Sequence, residues 1–116
     1  MTGPRVVTGE VRLLEALDEA DGTLRVRVED VSRVDAASRV VAEALIPIDR
    51  PIPAGQAIPF SVPVPEIDEG ASYSVRAHLD LTGSAEVTAG DRISTAAYPV
   101  LTRGHPDRVT VDAQTV

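Results

Sequence analysis

Apolar and polar residues alternate along most of the chain, and most regularly from Tyr73 to Leu81. Because the side chains of an extended strand point to opposite faces in turn, this stretch predicts a strand with one buried face. Its apolar face carries Tyr73, Val75, Ala77, Leu79 and Leu81. Weaker alternation predicts further strands over residues 6–17, 23–29, 38–48, 92–100 and 108–116.

Glycine and acidic residues mark the ends of the first two predicted strands. Asp21-Gly22 between two alternating runs predicts a hairpin, and Gly9 predicts a bulge or a weak point in the first strand. After Glu29 the alternation slips, which predicts that the chain bulges or leaves the sheet. We expect a corner over 30–36, capped by Asp30 and Ser32.

A second interpretation of this corner is functional, since Asp30, Ser32 and Asp35 could converge there with Arg33. Ser32 has no histidine nearby in the sequence to activate it, which favours the capping interpretation. The following run, 38–48, is apolar on both parities and predicts a strand covered on both sides.

Prolines alternate with large apolar residues between Gln56 and Pro65. The core face carries Ile58, Phe60, Val62 and Val64, whereas Pro59, Pro63 and Pro65 share the other parity. Successive residues of an antiparallel strand direct their amides to opposite edges, so these prolines remove donors from one edge only. The pattern predicts an edge strand, with Tyr73–Leu81 as its hairpin partner. The alternative, a proline-rich recognition ligand, conflicts with the burial that the apolar residues require.

Together these strands predict an all-β fold. We expect an antiparallel two-sheet sandwich of about seven to eight strands, of immunoglobulin or transthyretin type, in one domain over residues 1–116 with residues 1–5 frayed. The chain has three aromatic residues, so Val, Leu, Ile and Ala must build the core.

Composition excludes several classes of function. A net charge of -7 with 11 scattered arginines and no lysine argues against a nucleic-acid partner. The absence of cysteine excludes disulfides, thiolate metal sites and a cysteine nucleophile. No apolar run approaches the roughly 20 residues of a transmembrane helix. As it stands, without an export segment in residues 1–20, the sequence predicts a cytoplasmic protein. A mature domain trimmed of its export segment would belong to the envelope or periplasm.

The polar face of the Tyr73–Leu81 strand carries the most varied chemistry, in Arg76, His78 and Asp80. His78 and Asp80 are two ligands on one strand, which is a weak indication of a metal. We expect a solvated face and a candidate contact surface, without a metal, a cofactor or catalytic residues. No glycine-rich phosphate loop is present, and the protein is predicted not to be an enzyme.

Several segments in order resemble the YbaY and YscW type lipoprotein family, which includes the pilotins of type III secretion systems. They are Val6–Val11, Val26–Ala36, Ile58-Pro59-Phe60, Tyr73–Ala77 and Tyr98–Gly104. The resemblance implies a small β-sandwich that binds another protein, as pilotins bind the end of a secretin subunit and guide it to the outer membrane. It implies no enzyme activity. Family members are typically lipidated through an N-terminal cysteine behind a signal peptide, and this sequence has neither.

These observations predict a non-catalytic protein-interaction domain, pilotin-like or of unknown specific function. The alternative is a small-ligand or carbohydrate-binding β-sandwich that uses Arg76, His78 and Asp80. Oligomeric state does not follow from the sequence.

Overall fold

Eight β-strands account for the regular structure in the described part of the chain. The computed structural model describes residues 4–18, 21–33 and 37–116, and within them there is no helix and so none that could cross a membrane. The strands are β1 (Arg5–Leu13), β2 (Thr23–Asp30), β3 (Arg39–Pro47), β4 (Ala57–Val64), β5 (Tyr73–Asp80), β6 (Arg92–Ile93), β7 (Pro99–Val100) and β8 (Arg108–Thr115). The predicted all-β class is confirmed.

The strands form one mixed sheet in the order β3-β2-β5-β6-β8-β1-β4, with β7 also paired to β5. All pairs are antiparallel except β1 and β8, which run parallel. The two terminal strands, β3 and β4, lie beside each other without a ladder between them, so the sheet nearly closes on itself.

The predicted antiparallel two-sheet sandwich is therefore not the arrangement found. Strand β8 connects what would have been two layers, because its first six residues pair with β1 while Gln114 and Thr115 pair with β6. Alternation along a strand reveals which face is buried but not which strand lies beside it. That all 116 residues form one domain stays a prediction.

The interior is built by the alternating apolar faces that the sequence predicted. In β1, β2, β4 and β5 the expected inward side chains are buried, and Ile67 from the β4–β5 loop is 1% exposed and plugs the core. The fully buried side chains with the largest volumes are Leu13, Leu17, Leu24, Ile67 and Leu79.

Both predicted hairpins are wrong. Strands β1 and β2 are not neighbours despite Asp21-Gly22, and β5 pairs with β2, β6 and β7 rather than with β4. A turn signal fixes a reversal of direction, whereas the partner is chosen by packing across the whole sheet. Strand β5 is nevertheless an interior strand, as expected.

The ends of two elements also differ from expectation. Arg5, expected in a frayed terminus, begins β1 and pairs with Asp107 through its guanidinium, with Nε 3.1 Å from Oδ2. Strand β3, expected to be covered on both sides, is a sheet edge on which Val40 and Leu45 are about half exposed. Its register against β2 shifts between Val28 and Glu29.

The predicted break in the alternation after Glu29 is confirmed. Strand β2 ends at Asp30, whose Oδ1 accepts a hydrogen bond from the Ser32 amide at 2.9 Å, as a capping residue does. The remainder of this corner, including Asp35, lies outside the described residues. The stretch 92–100, predicted as one strand, is divided into β6 and β7.

Gly9 lies where β1 and β8 approach each other closely. A Cβ atom at this position would stand 1.8 Å from the carbonyl oxygen of Val109, the residue paired with it. We expect Gly9→Ala to lower the free energy of unfolding by about 3 kcal/mol, because β8 backbone would have to move. Urea unfolding measures this loss. The exposed Val6→Ala in the same strand is the control, and an equal loss in both variants would contradict the close approach.

Candidate functional site

The three polar residues predicted to share the outer face of β5 have different environments. Arg76 is exposed and its Nε lies 3.2 Å from Oε1 of Glu29. His78 and Asp80 are 4% and 0% exposed, so the expectation that they lie on a solvated face is wrong. The reason is the β5–β6 loop, residues 81–91, whose backbone hydrogen-bonds directly to the Asp80 carboxylate.

The Asp80 carboxylate organises the first half of that loop. It accepts hydrogen bonds from the amides of Ala85 and Gly83, both at 2.9 Å, and of Thr82 at 3.1 Å. Arg25 on β2 donates from Nε at 3.1 Å. Burial alone would raise the pKa of Asp80, but these donors outweigh it and hold the pKa well below its usual range. Asp80 therefore stays ionised in the folded protein.

A second carboxylate, Asp91, closes the loop from its other end. Its Oδ2 lies 2.7 Å from Nε2 of His78 and 3.1 Å from the Thr88 amide, and its Oδ1 accepts from the Leu81 amide at 3.1 Å. Burial would raise the pKa of Asp91, yet the hydrogen bonds from His78, Leu81 and Thr88 lower it overall. The loop is thus held at both ends by buried acids.

These residues also have the composition of a metal site, since ligand atoms of His78, Asp80 and Asp91 all lie within 4.8 Å of one another. Each carboxylate oxygen, however, already accepts hydrogen bonds from the protein, and Arg25 supplies a cation beside Asp80. A metal would have to displace these donors, so the cluster is better described as a structural brace of the loop. Sequence reasoning missed Asp91, whose only signal was its place in the turn after Gly90.

A cavity opens where the start of β3 meets the β4–β5 loop, with a volume of about 640 Å³. Its apolar lining is Val40, Val41, Pro65, Ile67 and Tyr73, and its charged lining is Arg39, Glu66, Asp68 and Glu69. The Tyr73 hydroxyl accepts a hydrogen bond from the Asp68 amide at 3.0 Å, which fixes the loop against the β5 strand. Three acids against one arginine give this opening a negative rim.

A family model and a solved structure match the chain. The model of the type III secretion system lipoprotein chaperone family YscW matches residues 3–112. The chain belongs to this family, and the predicted resemblance is confirmed. A solved structure, an alternative pilotin from the type II secretion system of Vibrio cholerae, is 23% identical, covers 97% of both chains and superposes with a TM-score of 0.79. That likeness establishes a shared fold. No curated protein matches the sequence.

We expect Asp80→Asn to reduce the free energy of unfolding at neutral pH by about 3 kcal/mol, because Arg25 loses its buried partner. Since the folded-state pKa of Asp80 is depressed, the wild type holds this stabilisation above the unfolded pKa, about 4, and loses it as pH falls towards the folded value. Stability in the variant should therefore fall less steeply below that pH.

Urea unfolding at a series of pH values, with circular dichroism as the probe, measures both effects. Glu86→Gln in the same loop is the matched control, because Glu86 is exposed. An acid limb of equal steepness in Asp80→Asn and the wild type would show that Asp80 does not brace the loop.

Proposed function

We propose that this protein is a non-catalytic, pilotin-like chaperone domain that binds another protein. Membership of the YscW family carries the proposal, because that family is one of secretion lipoprotein chaperones. The surface supports it as well: β3 presents an edge with two half-exposed apolar side chains beside an open cavity. The partner we propose is the end of a secretin subunit, the type of partner that the family resemblance implies.

The surroundings of His78 and of two serines favour binding over catalysis. His78 is 4% exposed and its Nε2 is engaged by Asp91, so it is poorly placed to take a proton from a substrate. The hydroxyl of Ser32 is bonded to Asp30, and that of Ser94 lies against the backbone of Ala77. Among the described residues, neither hydroxyl is hydrogen-bonded to a histidine that could activate it as a nucleophile.

The carbohydrate-binding alternative has less support. Sugar-binding sites commonly use exposed aromatic rings, but Phe60 and Tyr73 are 5% and 4% exposed. Tyr98 is partly buried, and its hydroxyl accepts a hydrogen bond from the Asp112 amide. Burial of His78 and Asp80 also leaves Arg76 alone as an exposed group of the predicted contact face.

The family also bears on location. Its members are described as lipoprotein chaperones, which favours the cell envelope over the cytoplasmic location predicted from the sequence as it stands. We propose that the domain acts at the envelope.

Affinity capture from the source cells tests the proposal. Tagged protein should retain the secretin subunit, or another defined protein, and excess untagged protein should displace it. Quantitative mass spectrometry measures the displacement. Failure to retain any protein that untagged protein displaces would contradict a chaperone role.

The same capture with Arg76→Ala tests whether Arg76 contributes to the contact surface. Arg76 is exposed but its ion-pair partner Glu29 is 7% exposed, so the unfolding curve of the variant must first verify that the fold persists. Reduced retention would support Arg76 as a contact residue, whereas unchanged retention would exclude it.

A further inference from the structure

The two edges of the sheet differ in what their backbones offer. Antiparallel pairing alternates, so each residue directs its amide and carbonyl either to its partner strand or away from it. On β4, Pro59 and Pro63 pair with Glu10 and Val6 of β1. The amides of even-numbered β1 residues point to β8, as the Thr8 amide does at 2.9 Å from Asp107. The odd-numbered positions of β4 therefore face away from β1, and its outer edge lacks donors at both prolines.

Strand β3 has its only proline at its last residue, Pro47, so the rest of its outer edge keeps its donors. The Ile48 amide donates to the Gly22 carbonyl at 3.0 Å, which sets the alternation of the β2–β3 ladder. By that alternation Ala44 and Ile46 bond to β2, whereas the amides and carbonyls of Glu43 and Leu45 point outward. No strand in the described part of the chain pairs with that side.

Proteins usually protect long edge strands with prolines, inward charges or a covering segment. The β4 edge has that protection within the strand, whereas β3 is nine residues long, has a proline only at its end, and carries Val40 and Leu45 at 47% and 55% exposure. Because β4 cannot supply donors at Pro59 and Pro63, it cannot form a complete ladder with β3 either. Strand β4 therefore lies beside β3 without pairing with it, and a segment that adds to β3 must displace β4 from that position.

Charge indicates what would occupy this edge. The cavity at the start of β3 has an apolar floor, and its rim carries Glu66, Asp68 and Glu69 against Arg39. Glu66 has no ion-pair partner among residues 4–18, 21–33 and 37–116. A second copy of this chain, with its own net charge of -7, would be repelled, whereas a basic segment would be attracted.

We propose that β3 binds an extended segment of a partner protein by strand addition, with an apolar side chain in the adjacent cavity and a basic residue at its acidic rim. This inference rests on the proposed protein-binding function and assigns it a site. The backbone of Glu43 and Leu45 supplies the pairing, and Glu66 supplies charge selectivity.

The test uses a phage-displayed library of random nine-residue peptides, matched to the length of β3. Selection on the intact protein should enrich peptides that alternate apolar and polar residues and contain Arg or Lys. Synthetic versions of the enriched peptides are then measured by fluorescence anisotropy.

Leu45→Pro removes the outward amide without removing a bond to β2, and Leu45→Ala is its matched control because it loses the same side chain. We expect Leu45→Pro to bind on the order of tenfold more weakly than Leu45→Ala, and Glu66→Arg to weaken the basic peptides by a similar factor. Unfolding curves of all three variants verify that they fold.

Equal affinity of Leu45→Pro and Leu45→Ala would overturn strand addition. A selection that enriches acidic peptides, or that enriches no peptides, would overturn it as well. Concentration-dependent dimerisation that Leu45→Pro abolishes, seen by sedimentation, would identify a second copy as the occupant and also overturn the proposal. If Leu45→Pro still retains the displaceable protein found by affinity capture, the chaperone function stands and only this site assignment fails.

Discussion

The architecture depends on a backbone that cannot donate hydrogen bonds at two positions. Pro59 and Pro63 remove two donors from the outer edge of β4, so no complete ladder can join the two terminal strands although they lie side by side. The opposite edge, β3, keeps its outward donors at Glu43 and Leu45. A closed sheet would have satisfied both edges, whereas this one leaves a single edge, with a cavity beside it, for a partner.

The β5–β6 loop helps to hold the sheet rigid beside the β3 edge. The β5–β6 loop is tied to the sheet by Asp80 and Asp91, which lie at opposite ends of the loop and accept hydrogen bonds from its amides. Arg25 joins this brace to β2, the strand that carries β3. Asp80 and Asp91 have the composition of a metal or contact site. Instead they stabilise the scaffold that presents the β3 edge.

Local patterns predicted the faces of the strands well and their neighbours poorly. Alternation identified the buried faces of β1, β2, β4 and β5, and proline parity identified β4 as an edge, because both depend on consecutive residues. The parallel pairing of β1 with β8 depends on residues about a hundred positions apart, which no local pattern encodes. The prediction that His78 is exposed failed for the same reason, because the loop that covers His78 is brought to it only by the fold. The family resemblance, which uses the whole chain, was confirmed.

Amide hydrogen exchange of β3, followed by NMR at single-residue resolution, tests the central claim most directly. The account predicts that the Glu43 and Leu45 amides, directed outward, exchange rapidly, while the Ala44 and Ile46 amides, bonded to β2, are protected. Equal protection of all four amides would mean that the β3 edge is already paired. The sheet would then offer no free edge to a partner.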